Sequence, residues 1–260
     1  MNKNLMKEKW ARGEVCLGAF INITHSAVIE VLGMVGLDFV ILDAEHTSLT
    51  PETAEQLYQV AELHNISSVT RIGENSQQVI QKFLEGGSQG VLIPLVNTVE
   101  EAQKVVDAVK YPPIGKRGLA GSRAASFGLA DGGIAAHVNK SNEETLITVQ
   151  IETLEAVQNF DQIVSLDNID CIFFGPSDLS SALGYHGQLK HPEVLDIIEK
   201  LGRITIESGK AAGTIARDLE DYKRWVDLGF QWVCTGTTAF LASGAKGYIE
   251  PLKNYKTSVR

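Results

Sequence analysis

The sequence predicts an α/β protein: a single-domain (β/α)8 TIM barrel spanning residues 1–260. Three observations carry that prediction. Eight short apolar runs rich in β-formers alternate with segments of helical length and pattern, the order of parallel strands joined by crossover helices. The runs are continuously apolar rather than alternating, as in DFVILD and CIFF, which marks strands buried on both faces. Eight such units with mostly short loops fill 260 residues, an ordinary size for one barrel. A doubly wound open sheet is the runner-up, but no G-x-G-x-x-G follows the first strand to support a dinucleotide-binding version.

The elements follow in order. Met1 to Arg12 reads as a short amphipathic helix that plugs or caps the barrel. Val15 to Ile21 is the first strand, followed by a helix over Ser26–Val35 that starts at Thr24 or His25. Asp38 to Asp43 is the second strand. Thr50-Pro51 opens the next helix with a hydroxyl cap and Pro at the first position, and that helix ends near His64. Ser67 to Ile72 is the third strand, after which Asn75 or Ser76 caps a helix ending at Gly86-Gly87. Gly90 to Val96 is the fourth strand and Thr98 to Val109 its helix. Leu146 to Ile151 and Cys171 to Phe174 are the fifth and sixth strands, with a helical segment between them. His191-Pro192 starts a helix reaching Gly209, and Ala211 to Ala216 is the seventh strand. Asp218 caps a helix to Leu228, Gln231 to Thr235 is the eighth strand, and Thr238 to Tyr255 forms a closing helix.

Composition narrows the function. At 44% hydrophobic and 21% charged, the chain can bury a full core. A net charge of −9 and a pI near 5.2 argue against a nucleic-acid partner or an anionic membrane surface. An anionic substrate would therefore need a local cationic pocket. Cys16, Cys171 and Cys234 lie far apart in apolar runs with no zinc spacing, and read as reduced core thiols. With no signal core in MNKNLMKEKW, a cytoplasmic location is expected.

The polar residues cluster at one place. Asp43, Glu45 and His46 follow strand two, Arg71 ends strand three, Gln150 and Glu152 end strand five, and Ser177 and Asp178 follow strand six. All sit at C-terminal strand ends, where barrel enzymes carry their chemistry. Strands five and six belong to one strand–helix–strand unit, so their C-terminal ends share a rim. Gln150 and Glu152 share a strand face by the period of two. Glu152 and Asp178 thus come side by side, where repulsion raises one pKa unless a cation intervenes. Two carboxylates with open water positions suit a hard divalent ion such as Mg²⁺ or Mn²⁺. His46 is the candidate general base. Arg71 is the candidate guanidinium for a carboxylate or a developing enolate oxygen. Blander readings stand beside these: helix N-terminal acids for Glu152 and Asp178, an exposed loop histidine for His46, an ion-pair partner of Asp43 or Glu45 for Arg71, a satisfied core amide for Gln150. Ser177 reads first as a helix cap, and its helix start also offers backbone N–H groups to a carboxylate.

Other chemistries lack their parts. No lysine ends a strand, and Lys210 precedes strand seven and faces the other rim, so a Schiff-base aldolase would have no nucleophile. The long connection Lys110–Glu144, with YPPIGKRGLAGSRAASFG, is the one outsized loop. Lys116, Arg117 and Arg123 make it locally basic. It reads by default as a solvated surface, with a contribution to an anion site, including across a subunit boundary, as the sharper reading.

DAEH (Asp43–His46), Arg71, FLEGGSQGVLIPLV (Phe83–Val96), YPPIGKRG (Tyr111–Gly118), VQIET (Val149–Thr153) and FFGPSDLS (Phe174–Ser180) resemble the HpcH/HpaI aldolase family over nearly the whole chain. The resemblance implies a phosphoenolpyruvate/pyruvate-type barrel and a divalent-metal-dependent, reversible retro-aldol cleavage of a 4-hydroxy-2-oxo acid into pyruvate and an aldehyde. It implies Glu152 and Asp178 as ligands to Mg²⁺ or Mn²⁺, with Co²⁺ a further candidate. It also implies Arg71 against the pyruvate enolate, His46 as base, Asp43 as the acid beside the base, Gln150 as a substrate contact and Ser177 near backbone N–H groups for the pyruvate carboxylate. A homo-oligomer is implied as well, a hexamer built as a trimer of dimers with C-terminal helix exchange.

The sequence departs from the family pattern in four places. Arg71 is followed by Ile72 where Pro is common. Glu85 replaces a more usual aspartate. Tyr185-His186 stands where a His-Pro pair is expected, and Gly236-Thr237-Thr238 replaces Gly-x-Asp. The last two changes fall where the aldehyde half of the substrate would lie. A citrate-synthase-like transferase joining oxaloacetate and an acyl-CoA is therefore the alternative, and a non-catalytic oligomeric binding protein is the third reading.

Overall fold

The computed structural model describes residues 3–258, with side chains through Tyr255. Met1 and Asn2 of the expected N-terminal helix lie outside the described residues. Eight parallel strands close into a barrel in sequence order. They are β1 (Cys16–Ile21), β2 (Phe39–Asp43), β3 (Ser67–Arg71), β4 (Gly90–Ile93), β5 (Leu146–Ile151), β6 (Cys171–Phe174), β7 (Ala211–Ile215) and β8 (Trp232–Gly236). The helices are α1 (Leu5–Ala11), α2 (Ser26–Met34), α3 (Pro51–Leu63), α4 (Gln77–Gly86), α5 (Val99–Val109), α6 (Gly133–Glu144), α7 (Leu154–Gln158), α8 (Phe160–Val164), α9 (Pro176–Ala182), α10 (Pro192–Glu207), α11 (Leu219–Asp227) and α12 (Thr237–Ser258).

Strand alternation splits the apolar side chains into two cores. The larger lies between the strands and the surrounding helices and includes Val40, Leu42, Val91, Ile147 and Val149. The smaller fills the barrel interior with Phe20, Phe39, Ile41, Val69, Phe173 and Trp232, and all three cysteines belong to it. The thiols are free and buried, and burial raises each pKa well above the ordinary thiol range, so they are packing groups rather than nucleophiles. Gly18 admits the Phe39 ring against the β1 backbone, where any Cβ would collide with it. Helix α1 plugs the N-terminal mouth, with Met6 and Trp10 packed on the interior core and the Trp10 and Trp232 rings 5.8 Å apart. Asn4 caps that helix, its side chain accepting from Met6 N–H and Lys7 N–H.

Most predicted boundaries lie within a residue or two of the observed ones. The exceptions are the N-terminal helix, which starts only at Leu5 behind its Asn4 cap, the last helix, which runs on to Ser258, and strand four, which runs from Gly90 only to Ile93. Pro94 has no N–H for the ladder, and Leu95 turns the chain at φ 53°. The crossover from β5 to β6 breaks into α7 and α8 at Asn159. The long connection folds as a 3₁₀ segment, Arg123–Gly128, followed by α6. Its default reading as a uniformly solvated surface is corrected below, because Arg117 is buried. No helix among the described residues is long and apolar enough to cross a membrane.

Candidate active site

Strand register builds the first half of the site. Asp43 and Arg71 are direct partners across β2 and β3, at the C-terminal ends of both strands. The guanidinium donates from Nε to Asp43 Oδ1 at 2.9 Å and from Nη2 to Asp43 Oδ2 at 2.6 Å. The Phe20 ring from β1 lies 4.6 Å from its central carbon, and Glu45 Oε2 lies 3.2 Å from Nε. One edge of Arg71 is thus fixed by a fully buried carboxylate, which leaves the Nη1 corner for a ligand. Burial alone would raise the Asp43 pKa. The hydrogen bonds and charge of Arg71, with the N–H groups of His46 and Glu45, outweigh burial and hold it below the usual carboxylate value.

Asp43 also shapes the loop that carries His46. Its Oδ1 accepts from the N–H groups of Glu45 at 3.1 Å and His46 at 3.3 Å, and the Thr47 hydroxyl donates to its carbonyl. The carboxylate beside the imidazole is that of Glu45, whose Oε2 lies 3.4 Å from His46 Nε2. Asp43 itself touches the His46 backbone and the Arg71 side chain. The His46 ring is exposed to solvent.

The second half hangs from β5. Gln150 and Glu152 are both buried. The Gln150 amide donates to Glu152 Oε2, and the Leu95 N–H donates to Oε1 at 3.0 Å. The turn at Pro94-Leu95 that shortens β4 is what aims this N–H. Gly175 makes room for the pair, since a Cβ there would stand 2.5 Å from Glu152 Oε2 and 2.6 Å from Gln150 Nε2. Helix α9 starts one residue later, with Gly175 as its cap and Pro176 in the first turn. Ser177 is therefore inside the first turn rather than the cap. Ser177 and Asp178 are exposed at that end of the barrel.

Electrostatics tie the halves together. Burial, then the charges of Asp178 and Glu45, push the Glu152 pKa up to about 7 against the Leu95 N–H and the Gln150 amide. Glu152 in turn contributes to the field around Arg71. Glu152, Asp178 and Glu45 thus crowd negative charge beside one arginine, and Gln150 Oε1 is buried with no partner. Among the described residues no set of three His, Cys, Asp or Glu side chains is arranged to hold a metal. Glu152 and Asp178 would offer two hard carboxylate oxygens, a donor set that would suit an ion such as Mg²⁺ with water and substrate oxygens in its other positions.

Sequence reasoning assigned no role to Leu95, Gly175 or Phe20. Pro94 signals a strand end, but nothing in the sequence indicates where the freed N–H points. In the region expected to meet the rest of the substrate, the Tyr185 ring stacks on His191 with centroids 3.5 Å apart, and Thr237 Oγ1 accepts from Asn22 N–H at 3.1 Å.

The described geometry agrees with known proteins. A family model described as HpcH/HpaI aldolase/citrate lyase matches residues 17–245. A 2-keto-3-deoxy-L-rhamnonate aldolase of Salmonella gallinarum is 36% identical over 247 residues, covering 93% of this chain and 90% of the relative. An HpcH/HpaI aldolase from Desulfitobacterium hafniense DCB-2 superposes with a TM-score of 0.90 at 30% identity, covering 97% of each chain. The citrate synthase SbnG superposes at 0.87 with 25% identity, covering 96% of this chain and 98% of that one. The barrel, the strand-end acids around Arg71 and these matches together show that the chain belongs to the HpcH/HpaI aldolase/citrate lyase family and is a carbon–carbon lyase of its aldolase type.

Proposed function

We propose that this lyase cleaves a 4-hydroxy-2-oxo acid, of the 2-keto-3-deoxy sugar acid kind named for its relatives, into pyruvate and an aldehyde. The observation that carries the reading is the pairing of a carboxylate-fixed guanidinium, Arg71, with the buried Gln150–Glu152 pair on the same rim. Glu152 and Asp178 would hold Mg²⁺ or Mn²⁺, which supplies Lewis-acid polarisation of the oxo acid when bound. His46, oriented by Glu45, takes the proton of the C4 hydroxyl. The C3–C4 bond breaks, its electron pair passes into the pyruvate enolate, and the aldehyde leaves. Arg71 offers Nη1 to the developing oxygen charge, which Asp43 keeps it from following into solvent. The first turn of α9 at Ser177 offers N–H groups toward the carboxylate, and the unpartnered Oε1 of Gln150 accepts from a substrate hydroxyl. A proton delivered to C3 completes pyruvate. A cytoplasmic setting fits three free thiols. A homo-oligomer, the hexamer of the sequence reading, is supported by the exposed Phe240, Leu241, Tyr248 and Leu252 along α12.

Deuterium exchange into the methyl group of pyruvate, followed by NMR, tests this without a guess at the aldehyde. Exchange should require added Mg²⁺ or Mn²⁺, stop with chelator and vanish in Glu152→Ala. Folded protein that exchanges nothing with any divalent ion would overturn the proposal. The likeness to a citrate synthase favours one second reading, the joining of oxaloacetate and an acyl-CoA. Turnover with acetyl-CoA and none with aldehydes would select it.

A further inference from the structure

A cavity of about 360 Å³ lies at the other end of the barrel from Arg71 and Glu152, lined among others by Ser88, Arg117, Arg123, Phe127, His137 and Thr145. Ser88 leads into β4 and Thr145 into β5, so this is the N-terminal rim. The basic residues of the long connection meet different fates here. Lys116 pairs with Asp107 at 2.6 Å in solvent. Arg123 is gripped by both oxygens of Glu62, at 3.1 and 2.6 Å, and by the Gly86 carbonyl at 3.0 Å. Arg117 is only 3% exposed, yet among the described residues its one side-chain hydrogen bond is from Nη1 to Ser141 Oγ at 3.2 Å. Its Nε and Nη2 are buried with no partner, and no ion pair with a carboxylate is found for it among the described residues. Glu85 acts on it only through longer-range charge.

A buried guanidinium without a counter-charge is strongly destabilising, and the empty edge is the one that matters. Nε–H and Nη2–H form the parallel fork that binds a carboxylate or phosphate through two oxygens. The Tyr111 ring fixes the plane, 4.6 Å from the central carbon. The Tyr111 hydroxyl also meets His137 Nε2 at 3.4 Å. With that hydroxyl donating, the imidazole proton sits on Nδ1, which is likewise buried without a partner. Burial and the nearby charge of Arg117 pull the His137 pKa down to about 4, so the ring stays neutral and keeps a single N–H to offer. Three buried, unpaired donors thus belong to two residues that line one cavity.

We propose that this cavity binds a small oxyanion, a phosphate or carboxylate group, through the Nε–Nη2 edge of Arg117 and Nδ1–H of His137, separately from the catalytic rim. The inference does not depend on the aldolase chemistry. Calorimetric titration of the intact protein with inorganic phosphate and, separately, with succinate tests it, at constant ionic strength set with chloride. The comparison set is Arg117→Lys, which keeps the charge and loses the fork, His137→Phe, which loses the donor, and Arg71→Ala, which removes the catalytic arginine. Wild type and Arg71→Ala should bind alike, while Arg117→Lys and His137→Phe should each bind about tenfold more weakly. Tighter phosphate binding would assign the natural ligand a phosphate group, and tighter succinate binding a carboxylate. If Arg117→Lys does not fold, His137→Phe decides alone. Absence of binding to either anion overturns the proposal, as does binding that disappears in Arg71→Ala and survives in Arg117→Lys and His137→Phe.

Discussion

Replacing Asp43 with Asn should disable the site while leaving its shape in place. The amide keeps an acceptor for the Glu45 and His46 N–H groups, so the loop retains its anchor. What disappears is the charge facing Arg71, and an NH₂ group now opposes one of its donors. Two charge-assisted hydrogen bonds, at 2.9 and 2.6 Å, are each worth about 1.5–3 kcal/mol when a charged group is involved. Glu45, 3.2 Å from Nε, recovers part of that, so the expected loss of folding stability is about 2–4 kcal/mol. Misplacement of the guanidinium should lower turnover by about 10²–10³. The pH dependence has a defined sign. The folded Asp43 pKa is depressed, so its contribution is complete above the unfolded value near 4 and is lost as pH falls through the folded value. Wild type should therefore lose stability faster than Asp43→Asn on acidification below about pH 4. Urea unfolding at several pH values and the pyruvate exchange rate measure both effects. An Asn variant within about 1 kcal/mol of wild type and within about threefold in exchange would show that the Asp43–Arg71 pair does not organise the site.

Two further substitutions separate charge from geometry. Arg71→Lys keeps a cation but cannot span both Asp43 oxygens and still present a third nitrogen. Its exchange rate should fall by about 10²–10³, and near-normal exchange would mean that a point charge suffices. Gly175→Ala tests space alone, because Gly175 has φ −90°, a value alanine adopts freely. The added methyl would displace Glu152 or Gln150, so Mn²⁺ affinity and turnover should both drop by at least about tenfold, with a stability cost of about 1–3 kcal/mol. Unchanged Mn²⁺ binding would remove Glu152 from the proposed ligand set.

The barrel was legible because parallel strands buried on both faces leave continuous apolar runs, and such runs need little context to read. The rim was legible for a related reason. In a crossover fold every strand end points the same way, so polar residues placed just after apolar runs converge without any knowledge of distance. Partnership within the rim was not legible. That Asp43 faces Arg71 depends on the β2–β3 register, which neither strand encodes alone. That Glu45, rather than Asp43, meets the His46 ring depends on how the AEH turn folds back once Asp43 has accepted its two N–H groups. The role of Leu95 follows from Pro94 ending a strand early and leaving an N–H free to bind Glu152.

The long connection is where residue type alone misleads. Lys116, Arg117 and Arg123 look alike in a basic loop, and charge run alone favours solvent for all three. Packing gives them different environments: one exposed and paired, one held across α3 and α4 by Glu62 and Gly86, one buried on Tyr111 with its fork unfilled. Residue type predicts a charge, whereas only the surrounding fold determines whether that charge is already answered. In this barrel the rim carrying Arg71 answers its arginine from within the chain, through Asp43. The opposite rim leaves Arg117 with two unfilled donors and, among the described residues, no carboxylate paired to it, and a buried cation in that condition is the place where an anion from outside the chain would gain most by binding.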